Sequence, residues 1–177
     1  MASKNIQRPG AQPLHMVSPL VECVPNISEG RNLAVIESIV DAVRQTNGCT
    51  VLGVEPDHDY NRTVITFAGE PDCVMRGAIE LIKASVEHLD MRLHHGEHPR
   101  LGVVDVCPFV PLKGITMDAC AKLARQVVDA LSHELDVPFF LYGAAASSQE
   151  RVMLSDLRRG EYEGLEARSV SYTHLRA

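Results

Sequence analysis

Tryptophan is absent from the 177 residues, and aromatic residues supply only 5% of them. A packed interior must therefore rest on Val, Leu, Ile and Ala. Cysteine pairs at metal or redox spacing are missing too. The five cysteines, Cys23, Cys49, Cys73, Cys107 and Cys120, are odd in number and none forms a C-x-x-C pair. Several sit inside apolar runs, which fits reduced, buried thiols of a cytoplasmic protein better than a disulfide scaffold or a zinc site. Basic residues are in deficit: 17 Lys and Arg stand against 23 Asp and Glu, a formal charge of -6. This argues against sequence-blind binding of nucleic acid, and a small anionic ligand would need a local basic patch to overcome the overall field. No apolar run approaches the ~20 residues that span a bilayer, so no membrane partner is expected. The stretch Met1–Met16 has Lys4 and Arg8 but no apolar core. It is not a secretory signal, and residues 1–17 are expected to form a disordered extension.

What the chain does contain is ordinary for a soluble domain: 45% hydrophobic and 23% charged residues, enough for one domain with a single core. Leu20–Val24 reads as a short strand stopped by Pro25. Leu33, Ile36, Ile39, Val40 and Val43 recur at helical spacing over Leu33–Gln45, and Asn47-Gly48 ends that helix. Thr50–Val54 and Thr63–Phe67 read as strands joined by a polar loop. A helix opens at Pro71, a favoured first-turn residue, with Val74, Ala78, Ile79, Ile82 and Val86 on one face. Val103–Cys107 is a further strand and Thr116–Leu135 a further helix. Phe139–Tyr142 reads as a last strand, with a short helix after Ser147. The order is βαββαβ with an added α-β-α tail, which predicts an α+β, ferredoxin-like subdomain with helices on one face of a mixed sheet.

Chemistry-bearing residues concentrate in His94-His95-Gly96-Glu97-His98-Pro99-Arg100, which packs three imidazoles, a carboxylate and a guanidinium into seven residues. Histidine titrates near neutrality, so such a cluster is where acid–base or metal chemistry is sought first. Gly96 and Pro99 make it a shaped loop rather than a helix. His94-x-x-Glu97-His98 matches the H-x-x-E-H pattern of inverted zinc peptidases, but that motif needs a helix to bring both imidazoles to one face. With glycine inside it and proline after it, no metal site is expected. Two further polar clusters fall at strand ends: Pro25–Gly30, where Asn26 and Ser28 are also good helix caps, and Glu55–Arg62. If these loops converge, Asn26, Glu55, Asn61, Arg62, His98 and Arg100 surround one site.

Val21-Glu22-Cys23-Val24-Pro25-Asn26-Ile27-Ser28-Glu29-Gly30, Asn61-Arg62-Thr63-Val64, Gly96-Glu97-His98-Pro99-Arg100-Leu101-Gly102 and Asp105-Val106-Cys107-Pro108-Phe109 closely resemble the N-terminal subdomain of the glutamate formimidoyltransferase (formiminotransferase) family. Asp136-Val137-Pro138, Leu141-Tyr142-Gly143 and Arg159–Glu163 fit the same pattern. The resemblance covers roughly Leu20 to Leu165, which places a subdomain at 18–168. Residues 169–177 read as a tail foreign to the family, a truncation or read-through artefact.

The resemblance implies transfer of the formimino group from N-formimino-L-glutamate to tetrahydrofolate as acceptor substrate. It also implies a ferredoxin-like subdomain, a homodimer, and a C-terminal subdomain supplied in cis or in trans. His98 matches the family's catalytic histidine, and Glu55 falls where the family usually has an aspartate beside that base. Arg62 and Arg100 would hold substrate carboxylates bidentately. Asn26 and Asn61 would meet the pterin edge. Tyr60 stands where a histidine is often found, and His94 and His95 lie just before the motif, open to a catalytic or a capping role. The alternative is a non-catalytic, stand-alone subdomain that binds folate or a partner.

Overall fold

The computed structural model describes residues 18–165, so the expected extension at 1–17 and the tail at 169–177 lie outside the described residues. Strands β1 (Leu20–Cys23) and β2 (Asn26–Ile27) precede helix α1 (Leu33–Arg44). The hairpin β3 (Cys49–Asp57) and β4 (Arg62–Gly69) leads into α2 (Pro71–His88). Strands β5 (Val104–Val106) and β6 (Phe109–Lys113) then precede α3 (Met117–Leu131). Beyond Gly143 there are single 3₁₀ turns and one short helix, α4 (Leu154–Leu157). The protein is α+β.

Prolines shape the sheet. Pro25 separates β1 from β2 and Pro108 separates β5 from β6, each removing a ladder donor. The two breaks lie at one level, because Val24 N donates to the Pro108 carbonyl at 3.2 Å. The broken strand β1–β2 therefore pairs with β4 on one side and with β6 and β5 on the other, while β3 pairs with β4.

Every pairing among the described residues is antiparallel, which corrects the expected mixed sheet. The strands joined by crossing helices do run the same way, but another strand separates each such pair: β4 lies between β2 and β3, and β2 lies between β4 and β5. The ladder also brings Glu55 onto β3, opposite Val64, so that residue sits within the hairpin's strand rather than in its loop.

One sheet face carries the core. Val21, Cys23, Ile27, Ile65 and Phe67 are wholly buried against Ile39, Val40, Val74, Leu81 and Leu131 of the helices. The stripes expected over α1 and α2 face the core except for Leu33, which is exposed at the start of α1, and α3 buries Cys120, Leu123, Val127 and Leu131. Alternation along β4 sends Thr63, Ile65 and Phe67 inward and leaves Arg62, Val64 and Thr66 half-buried on the opposite face.

Two expectations fail. Phe109–Lys113 is a strand that the sequence reading passed over, because Pro111 weakens its signal; the residue is tolerated because β6 is an edge. Among the described residues Phe139–Tyr142 is assigned to no strand. Its half-buried apolar residues line a groove of about 1050 Å³ beside β5, β6 and α3. No helix among the described residues is long and apolar enough to cross a membrane.

Candidate functional site

The loops converge through one residue. Asn61 closes the β3–β4 hairpin in the left-handed region, at φ 48°, a conformation asparagine tolerates better than most. Asp57 rigidifies the turn by accepting from Asp59 N at 3.0 Å and Tyr60 N at 2.9 Å. Asn61 Oδ1 accepts from Gly30 N at 2.9 Å, and its Nδ2 donates to the His95 carbonyl at 3.0 Å. The Asn61 carbonyl also meets His94 Nε2 at 2.8 Å. The loop after β2, the hairpin and the histidine loop are thus tied together by one side chain and its own backbone. Close approach of the chains needs glycine: a Cβ on Gly30 would lie 2.1 Å from the Asp57 carbonyl oxygen, and one on Gly96 would lie 2.4 Å from that of Tyr60.

The sheet end then presents Arg62. Its Nε donates to Asn26 Oδ1 at 2.9 Å and its Nη1 to Asp105 Oδ2 at 2.9 Å. The same Nη1 lies 2.6 Å from His98 Nδ1 and 2.9 Å from Nε2. His98 Nδ1 also lies 2.6 Å from the Pro99 carbonyl; with Nδ1–H donated to that carbonyl, the unprotonated Nε2 is the ring nitrogen left to accept from Arg62, although Nη1 stands nearer to Nδ1. Burial, and then the Arg62 guanidinium, hold the imidazole below its ordinary titration range; Arg158 adds to this and Asp105 opposes it. His98 is therefore a neutral ring with a basic nitrogen at neutral pH. Tyr60 stands edge-on to it, with ring centroids 5.7 Å apart.

Asp105 is the hub that sequence reasoning missed. Its side chain is 1% exposed and accepts from Arg62, from Arg158 Nη2 and from Leu101 N. The one available signal was a charged residue inside the apolar run Val103–Cys107, where a carboxylate is buried only if it is paired.

The other expected residues separate by what they touch. Asn26, Arg62 and His98 come together. Glu55 shares their sheet face, since Val64 pairs with both Glu55 and Asn26, but it is exposed, and among the described residues no hydrogen bond joins it to His98. Arg100 reaches back to Glu161 at 2.8 Å and to Glu163 at 2.8 and 3.1 Å. Both of its carboxylate partners come from this chain. Asn61 spends its amide on the backbone. His94 is buried, with Nε2–H on the Asn61 carbonyl and Nδ1 accepting from Arg100 Nε at 3.3 Å, so both nitrogens are used in holding the loop; His95 is exposed.

Asn32, not Asn26 or Ser28, caps α1; Ser28 instead donates to the Gly102 carbonyl at 2.8 Å. Residues 94–100 form no helix, and among the described residues no group of three or more His, Cys, Asp or Glu is placed to hold a metal ion. His98, Arg158, Arg159 and Gly160 wall a cleft of about 800 Å³ whose rim is the Arg100–Glu161–Glu163 cluster.

Comparison with known proteins places the chain in a family. The family model described as "Formiminotransferase domain, N-terminal subdomain" matches residues 20–175. Formimidoyltransferase-cyclodeaminase of Sus scrofa is 51% identical over 84% of this chain and 28% of its own length. The protein of the same name from Dictyostelium discoideum is 49% identical over 85% of this chain and 28% of its own length. Glutamate formimidoyltransferase of Streptococcus pyogenes serotype M1 is 42% identical over 84% of this chain and 50% of its own length. The chain thus spans between about a quarter and a half of these relatives, and over that span it belongs to the formiminotransferase family, as its N-terminal subdomain.

Proposed function

We propose that this chain supplies the imidazole-bearing half of a glutamate formimidoyltransferase, moving the formimino group of N-formimino-L-glutamate to tetrahydrofolate and giving 5-formiminotetrahydrofolate and L-glutamate. The observation that carries this is His98, an imidazole within hydrogen-bond distance of Arg62 on the wall of an open cleft. The folate N5 attacks the formimino carbon and a C–N bond forms. His98 Nε2 takes the N5 proton, returns it to the glutamate nitrogen, and the old C–N bond breaks. A base poised below neutrality does both in turn, and such assistance contributes about 10²–10⁴-fold. Arg62 must move off Nε2 for this, and Asn26 and Asp105 give it two other acceptors to rest on. Glu55 acts from the open sheet face, through bound substrate or water rather than by direct contact. The Asn26 amide is offered to the pterin edge, and Arg100 and Asn61 hold the loops that frame it.

The strand order, with β1–β2 and β5–β6 each counted as one broken strand, supports a ferredoxin-like βαββαβ reading. The opposite wall of the cleft is assigned to a C-terminal subdomain, in cis or in trans, since relatives continue well beyond the matched span. A homodimer and a cytoplasmic location belong to the same proposal. Because only one wall is described, a second reading stays in view: the chain by itself binds folate or a partner without turnover. The test measures turnover of N-formimino-L-glutamate and tetrahydrofolate by the 177-residue chain and by a version extended with a relative's C-terminal subdomain, each with and without His98→Gln. The extended form is expected to turn over, to lose about 10²–10⁴-fold on substitution, and to exceed the short chain. Full activity of the extended His98→Gln protein would overturn the assignment of the base.

A further inference from the structure

Arg62, Asp105 and Arg158 form a partly buried triad with two positive charges and one negative. Both guanidiniums meet Asp105 Oδ2, Arg62 at 2.9 Å, and their side chains are only 15% and 21% exposed. An unbalanced charge removed from water is costly until an opposite charge joins it. Arg158 is also not fully bonded: it gives Asp105 one Nη2, while its Nε is buried with no partner among the described residues. It lines the cleft that holds His98, as does Arg159. Arg159's side chain is 82% exposed and, among the described residues, bonds only Asp156, at 3.0 Å. Arg100, in contrast, is 11% exposed and already carries two glutamates.

We propose that Arg158, seated beside Arg62 by the shared carboxylate of Asp105, is the anchor of a carboxylate-binding subsite in the His98 cleft, with Arg159 at its mouth. The ligand class is a dicarboxylate of glutamate's length; naming it as the substrate's glutamyl portion rests on the function proposed above. A small swing of the Arg158 guanidinium puts Nε on Asp105 and turns its outer nitrogens to the cleft, where a carboxylate is held by two parallel bonds. A planar fork does this and an ammonium does not.

Ligand binding is thereby coupled to the base. The groups facing His98 are the Tyr60 ring from the hairpin, Arg62 from β4, Asp105 from β5, Arg158 beyond α4 and the Pro99 carbonyl of its own loop. Arg100, Arg159, Glu161 and Glu163 stand around the same cleft. A carboxylate on Arg158 cancels one of the two cationic influences that depress the imidazole. His98 becomes a stronger base once its substrate is in place.

The test is an NMR pH titration of histidine-labelled full chain, with the His98 signal assigned by His98→Gln, in the presence of glutarate, L-glutamate, uncharged glutaramide or sulfate. Glutarate and glutamate are expected to raise the His98 midpoint by about half a unit, and glutaramide to leave it unchanged. Arg158→Gln is expected to weaken glutarate roughly tenfold or more, and by itself to move the midpoint upward. Equal binding by folded Arg158→Gln protein, or an equal response to sulfate, would overturn the subsite. If Arg158→Gln does not fold, the unsubstituted chain still decides: no midpoint shift with saturating glutarate sinks the proposal. Absent turnover in the extended protein, with this shift intact, refutes the function and leaves the subsite standing. Turnover without the shift does the reverse.

Discussion

Replacing Asp105 by Asn removes one negative charge and little volume. The amide oxygen still accepts from Leu101 N, which lies 3.0 Å from Oδ1 in the native protein. What disappears is the single anion between two guanidiniums. At contact distance and an effective dielectric constant near 20, each lost attraction is worth about 4 kcal/mol before solvation is counted. Part of that is returned, because Arg62 and Arg158 keep 15% and 21% of their side-chain surface and draw in water. Breaking a buried pair by removing one partner typically costs about 3–5 kcal/mol; the water-accessible flanks put this case at the lower end, about 3. For a domain of this size, about 2–4 °C per kcal/mol makes the melting point fall by about 6–12 °C. Urea unfolding at neutral pH gives the free energy directly, and an unchanged slope with a lower midpoint shows that stability alone has moved. Asp105 also raises the His98 pKa, so the same variant titrates that imidazole at still lower pH. A loss under about 1 kcal/mol would mean the triad is solvated and behaves like a surface pair, refuting both the charge argument and the subsite built on it.

Other consequences are open to simple measurements. His98 titrates lower in the folded protein than its ordinary value of 6.5, so the unfolded chain binds its proton more readily. Its contribution to stability is full above about pH 6.5 and is lost as pH falls through the folded value; His98→Gln should flatten the stability curve between about pH 7 and pH 5, and parallel curves would contradict this. Gly30→Ala drives a methyl group into backbone at 2.1 Å and 2.5 Å, where overpacking costs about 1–3 kcal/mol or more; an unchanged melt would show that the two loops are not packed this closely. Asn61→Asp keeps the acceptor for Gly30 N but sets a carboxylate against the His95 carbonyl. Limited proteolysis should then cut within residues 94–100, and protection equal to the parent would rule out Asn61 as the tie.

Local chemistry made much of the scaffold readable. The apolar stripes of α1 and α2, Pro71 at a helix start and the closeness of β3 to β4 all lie within short windows, where spacing reports burial. Errors arose where burial and ladder formation part company. Phe139–Tyr142 has the residues of a strand yet is assigned to none among the described residues, while Phe109–Lys113 holds a proline and forms an edge. The same limit explains the strand direction: a crossover fixes that two strands run alike, but not that a third lies between them.

Within the site, residue type was legible and role was not, because roles are assigned by partners far away in the chain. Arg62 meets Asp105 across 43 positions, Arg158 meets it across 53, and Arg100 finds its glutamates 61 and 63 positions on. Residue type alone does not separate the histidines of His94–Arg100; the resemblance singled out His98, and their partners differ. His94 has both nitrogens spent, one on a carbonyl and one on Arg100, so protonating it breaks a bond that holds the loop. His98 keeps one nitrogen for Pro99 and shows the other to Arg62, whose charge is already shared with Asn26 and Asp105. A cation with two further acceptors can leave an imidazole without being stranded. His98 is thus the ring whose neighbour has somewhere else to go, and Asp105 supplies one of those two other acceptors.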